Sequence, residues 1–212
     1  MTDRLSIYNG ALAVLGERKL ADLTENREPR YKLDDIWDRD FVQTVLEQGQ
    51  WNFATRSVEL SYSPSVSPSS FGLKYGFEQP SDMVRVTGVC SDEWFNSPLL
   101  NYRDEAGYWW SDLETLYVAF VSDGASYGGN YSLWPKNFTR YAETFLAAQA
   151  ARTIMGASVD IGSVNAELKE WLKRAKATDA MKESARFLPP SSWVRSRQGG
   201  QGDRGSRTLL IG

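Results

Sequence analysis

Apolar residues recur along this chain at two different spacings, and the spacing changes twice. Over residues 2–15, Leu5, Tyr8, Leu12 and Leu15 stand three or four residues apart and Gly16 follows as a natural stop, which predicts a first helix. Pro29 suits a first helical turn, and Leu33, Trp37, Phe41 and Val45 then recur every four residues towards Gly49, which predicts a second. Asp34, Asp35, Asp38 and Glu47 occupy its other face, so this helix must bury one side, and the expected cover is other helices.

Over residues 51–121 the pattern shortens to alternation. Val84 with Val86, and Leu116, Val118 and Phe120, fall on every second position between Gly and Pro punctuation, as antiparallel strands require. Residues 61–70 (SYSPSVSPSS) read as an exposed connection, since two prolines cannot sit in a central strand. Glu105-Ala106-Gly107 reads as a hairpin turn between strands at 99–103 and 108–111. The three glycines of residues 122–130 (SDGASYGGN) predict a mobile loop that closes the strand region.

Helical spacing returns at Trp134-Pro135, with Phe138, Tyr141, Phe145, Ala148, Ala151 and Met155 on one stripe up to Gly156. Ala147, Ala148, Ala150 and Ala151 thin this helix and allow neighbouring helices to approach closely, as in the middle of a bundle. A last helix is predicted over 163–186, with Leu168, Trp171, Leu172 and Ala175 apolar, before Pro189-Pro190 stops it. Residues 191–212 cannot form a core: five glycines surround Arg195, Arg197, Arg204 and Arg207, with only Asp203 opposing them. Yet the chain ends in Leu209, Leu210 and Ile211, a pairing of basic and apolar groups that fits docking on a partner. The order of elements predicts an α+β chain with an extended C-terminal tail.

Composition narrows the chemistry. The 212 residues contain no histidine and one cysteine, Cys90, so the usual general base, histidine-dependent triads, zinc hydrolase sites and intrachain disulfides are all excluded. A formal charge of -3 speaks against simple nucleic-acid binding, and any DNA contact is expected to be weak. Met1-Thr2-Asp3-Arg4 runs straight into the first amphipathic pattern, so no leader is expected, and no stretch approaches the roughly 20 apolar residues of a membrane span. No catalytic residue, metal ligand or cofactor site is expected. Asp34 and Asp38, one turn apart, have a spacing that suits a divalent cation, but a solvated face or an acidic tunnel lining accounts for the same Asp34, Asp35 and Asp38 pattern. Of the eight tryptophans, Trp37 and Trp171 lie on apolar stripes and read as core. Trp94, Trp109, Trp110 and Trp193 lie near strand ends, turns or the tail and are the candidates for subunit or partner contacts.

Several segments taken in order resemble the tail tubular protein A family of short-tailed bacteriophages, the portal adaptors or head-to-tail connectors. They are Leu15-Gly16-Glu17 after the first helix, Gly49-Gln50-Trp51-Asn52-Phe53 after the second, and Pro80-Ser81-Asp82-Met83-Val84-Arg85-Val86 leading into a strand. Asn101-Tyr102-Arg103, the Gly107 turn, Ser111-Asp112, Phe120-Val121, the Pro135 helix and the Lys176 to Asp179 region complete the series. The resemblance implies a helical bundle built from both chain ends (1–50 and 134–188), an antiparallel β-rich insertion (51–133) and a tail (189–212) that docks on the portal. It further implies a virion protein assembled in the host cytoplasm as a ring of twelve copies, between the portal and the nozzle protein (tail tubular protein B), with tail fibres around the outside. DNA would pass through the lumen without specific binding, and no membrane is involved. Aromatic and acidic content alone would equally suit a virion-associated peptidoglycan hydrolase or carbohydrate-binding tail component, and the helices a head-completion protein of a long-tailed phage.

Overall fold

Asp3 opens the first helix with a reciprocal pair of bonds. Its carboxylate accepts from the Ser6 backbone N–H at 2.7 Å, and the Asp3 N–H donates to Ser6 Oγ at 2.9 Å. The resulting α1 (Arg4–Val14) closes where Gly16 adopts φ +74°, with the Glu17 N–H on the Leu12 carbonyl and the Gly16 N–H on the Ala13 carbonyl. This is the glycine-dependent helix ending in which orphan carbonyls are satisfied from beyond the cap. In this computed structural model, residues 2–64, 66, 72–156 and 160–182 are described.

Helix α2 (Glu28–Glu47) carries Pro29 in its first turn and is broken at Asp40, where φ is 151° and ψ 24°. Helix α3 (Lys136–Met155) starts after Pro135 and ends at Gly156 with φ +63°. Helix α4 (Ile161–Ala180) starts two residues before the sequence places it, because the Asp160 side chain accepts the Gly162 N–H. It closes on Met181, and residues 183–186, over which the sequence extends it, lie outside the described residues.

Helix α3 is the centre of the helical layer: α1, α2 and α4 all pack against it. Ala147, Ala150 and Ala151 are fully buried there, in keeping with their reading as a thin face, while Ala148 keeps part of its surface. Around them stand Ile7, Leu12, Leu33, Val45, Leu46 and Leu146, and an aromatic run in which Trp37 stacks on Phe41 at 4.7 Å and Phe138 meets Trp51 and Trp134 at 4.7 and 4.8 Å. Each such ring contributes on the order of 1.5–3 kcal/mol by burial. Trp51 and Trp134 also place their indole N–H groups on the carbonyls of Leu46 and Gly128, so no polar atom is sacrificed.

Among the described residues, six strands lie between the helices, in two three-stranded antiparallel sheets. β1 (Thr55–Ser61) and β3 (Met83–Cys90) flank β6 (Thr115–Ser122), while β2 (Tyr75–Glu78) and β4 (Arg103–Glu105) flank β5 (Tyr108–Ser111). Inward residues of both sheets share one core, with Phe77 and Trp109 from one meeting Val89, Leu116, Val118 and Phe120 from the other. The expected hairpin is present, but its first strand is 103–105 and not 99–103, and Glu105 belongs to that strand and not to the turn: it pairs with Tyr108 across Ala106 and Gly107, whose φ values of 53° and 83° suit the right-handed strand twist. Within the 61–70 connection, residues 65 and 67–70 lie outside the described residues, and Ser61 belongs to β1.

Candidate interaction surfaces

Arg4 decides the fate of the acidic helix face. Its guanidinium reaches from α1 to Asp34 at 2.7 Å and Asp38 at 3.2 Å, and sits 5.1 Å from the Trp37 ring. Asp34 also accepts the Tyr8 hydroxyl at 2.8 Å and pairs with Arg30 at 2.8 Å. Burial, followed by the bond to Asp34, raises the Tyr8 phenol above its ordinary range, so it stays a donor. The reading of Asp34, Asp35 and Asp38 as one acidic face is therefore corrected. Asp34 is half-buried and held by two arginines, Asp38 shares one of them, and Asp35 is exposed. Among the described residues, no group of three acidic or cysteine side chains is placed to hold a metal ion.

Of the tryptophans singled out for contacts, Trp94, Trp109 and Trp110 do not share a surface. Trp94 is 73% exposed, whereas Trp109 is 0% and Trp110 9% exposed. Burial of Trp109 and Trp110 corrects their assignment as contact residues, and the reason is strand order. Their strand, β5, is central in its sheet. Trp109 points into the shared core with its N–H on Asp104, and Trp110 lies over Gly76, where a Cβ would approach the ring to 3.0 Å. Trp193 and the tail residues Arg195, Arg197, Arg204, Arg207, Leu209, Leu210 and Ile211 lie outside the described residues. Of the two expected core tryptophans, Trp37 is buried, and Trp171 packs at the margin with its N–H on Glu167.

The turn bearing Trp94 is built by Asp92. One carboxylate oxygen accepts the Ser97 N–H at 2.7 Å and the other the Asn96 N–H at 3.1 Å, while Ser91 N–H bonds the Ser97 carbonyl. Phe95 takes φ +54° at the tip. Sequence reasoning missed Leu100 and Met181, exposed at 93% and 84%. It also missed a flank of α4 on which Lys169, Lys173 and Lys176 surround Leu172 in a shallow open hollow of about 300 Å³. The 3.6-residue period places these lysines on one side, while Glu170 and Arg174 pair on the other.

Polar contacts fasten the insertion both internally and to the helical layer. Asp82 accepts both bonds of Arg56 Nη1, at 2.9 and 2.8 Å, and the Ser122 hydroxyl at 2.5 Å. Burial alone would raise its carboxyl, but Ser122 and Arg56 outweigh that and hold it below the usual range. Asp123 accepts from Gln43 of α2, and Arg85 donates to the Glu47 carbonyl. The 122–130 loop is correspondingly not the loose closure its glycines predict. Its N–H groups at 123, 127, 128, 129 and 130 are all bonded, and at Gly128 a Cβ would strike the Ser122 carbonyl at 2.4 Å and Leu46 at 2.5 Å. Those glycines permit close approach.

No family model and no curated protein matches the chain. Among the described residues, no helix is long and apolar enough to cross a membrane.

Proposed function

We propose that this chain is a structural subunit of a short-tailed phage virion: a ring-forming adaptor, twelve copies to the ring, that joins the portal to the tail nozzle and encloses part of the DNA exit channel. In this reading the helices of both chain ends form the bundle, residues 51–133 are an insertion into it, and residues 189–212 are an arm that docks on the portal. The ring assembles in the host cytoplasm, tail fibres attach around its outside, and DNA passes through without specific binding.

The observation that carries the reading is where the residues of the resemblance fall. They are the joints of the fold. Gly16 closes α1, Asp82 ties the start of β3 to β1 and β6, Gly107 turns the β4–β5 hairpin, and Pro135 opens α3. Asn52, from the segment after α2, bonds to Asp179, from the last helix. A second support is exposed apolar surface on separate elements, with Tyr31 on α2, Trp94 and Leu100 on the insertion and Met181 after α4, as a subunit with several neighbours needs.

Electron microscopy of the full chain mixed with its portal tests the proposal. The expected result is a ring of extra density beneath the portal, lost when residues 195–212 are deleted. A chain that never binds portal rings, or one that clears bacterial cell walls through a carboxylate whose substitution abolishes clearing, overturns it.

A further inference from the structure

Two features of this chain are complementary, and they lie on different elements. Trp94 stands out from a turn whose backbone is fixed by Asp92, so the backbone that carries its indole has little conformational freedom to lose on docking. Glu93 beside it is exposed and has no ion pair among the described residues. Glu59 adds a second carboxylate to this side of the insertion, bonded across β6 to the Tyr117 hydroxyl. On α4, Lys169, Lys173 and Lys176 are exposed, likewise without ion pairs among the described residues, and Leu172 floors the hollow between them. An indole placed there would cover Leu172 and meet ammonium groups over its face, while Glu93 would supply the missing counter-charge.

We propose that Trp94 of one copy seats in the α4 hollow of the next, with Glu93 facing Lys169, Lys173 and Lys176. The proposal rests on the ring-forming reading and supplies its subunit contact. The knob and the hollow are different patches, so the contact is heterologous, and repetition from copy to copy generates a closed ring when the rotation permits. A twofold arrangement of like patches would instead oppose lysine to lysine.

Sedimentation and mass photometry of the full chain across a dilution series test this, with circular dichroism to confirm that each variant is folded. Trp94→Ala is expected to weaken association on the order of thirtyfold or more, as for a central interface tryptophan. Glu93→Lys and Lys173→Glu should each weaken it, and the two combined in one chain should restore it, because the charges are exchanged across the same contact. Association of Trp94→Ala at wild-type strength, or a double variant no better than the single ones, overturns the contact. Rings that persist in every variant do so while leaving the ring-forming reading intact. A wild-type chain that stays monomeric even with its portal overturns both. Open chains or dimers that dissolve in Trp94→Ala support the contact and count against a closed ring. Protection of Lys173 from acetylation in monomer, lost on deletion of residues 195–212, would assign the hollow to the chain's own tail and overturn the proposal.

Discussion

Asn52 and Asp179 stand 127 residues apart and are joined by two bonds that Asn52 donates: its backbone N–H to Asp179 Oδ2 at 2.9 Å, and its Nδ2 to the Asp179 carbonyl oxygen at 3.0 Å. The pair fastens the exit from α2 to the last turn of α4, with Asp179 itself only 4% exposed. Asp179→Ala removes a buried side-chain acceptor and strands the Asn52 N–H. Chemical denaturation should show a loss of about 2–3 kcal/mol. A loss below about 0.5 kcal/mol would mean that the Asp179 side chain adds little to the hold on α4.

Gly10 of α1 lies against Glu143 of α3, where a Cβ would come within 2.2 Å of the glutamate carboxyl carbon. Gly10→Ala should therefore cost about 1–3 kcal/mol through overpacking. In a Glu143→Ala background the same change should stabilise, since the clash is gone and alanine favours the helix by about 1 kcal/mol. A double-mutant cycle measures this change of sign.

Burial raises the Glu143 carboxyl above its ordinary value of 4.5, with Arg140 at 3.0 Å opposing the shift. An acid whose folded pKa is raised destabilises the fold once ionised, so stability should fall as pH rises from 4.5 through the folded value. Glu143→Gln should be more stable than wild type at pH 7 and lose that advantage below pH 4.5, in thermal melts recorded across this range.

Asp82 has the opposite sign. Its folded pKa lies below the ordinary 3.8, so its contribution is present above that value and fades as pH falls through the folded pKa. Asp82→Asn should cost about 2 kcal/mol at pH 7, converge with wild type in strong acid, and leave the joint between β1, β3 and β6 weaker in hydrogen exchange.

Asp40 holds a left-handed φ of 151° in the middle of α2, a conformation that costs a side-chain-bearing residue on the order of 1–3 kcal/mol. Asp40 is exposed, so Asp40→Gly should raise the unfolding free energy by about 1 kcal/mol without disturbing packing. An unchanged midpoint in denaturant would show that the break is not strained.

The helices, the alternating strands and the Ala106-Gly107 hairpin were legible in the sequence because their signals act within a few residues: apolar spacing, a capping aspartate, a glycine where φ must be positive. Core assignment by stripe was legible for Trp37 for the same reason. Only the tertiary structure decided that Trp109 and Trp110 are covered, since that depends on β5 being flanked by β2 and β4. It alone decided that Asp34 is neutralised by an arginine thirty residues earlier, and that Gly128 of the 122–130 loop serves close approach to Ser122 and Leu46. Exposure of Trp94 and of the α4 lysines belongs to the same class. Local spacing determines which element a residue joins, whereas which surface remains open depends on partners that only the packed chain brings together.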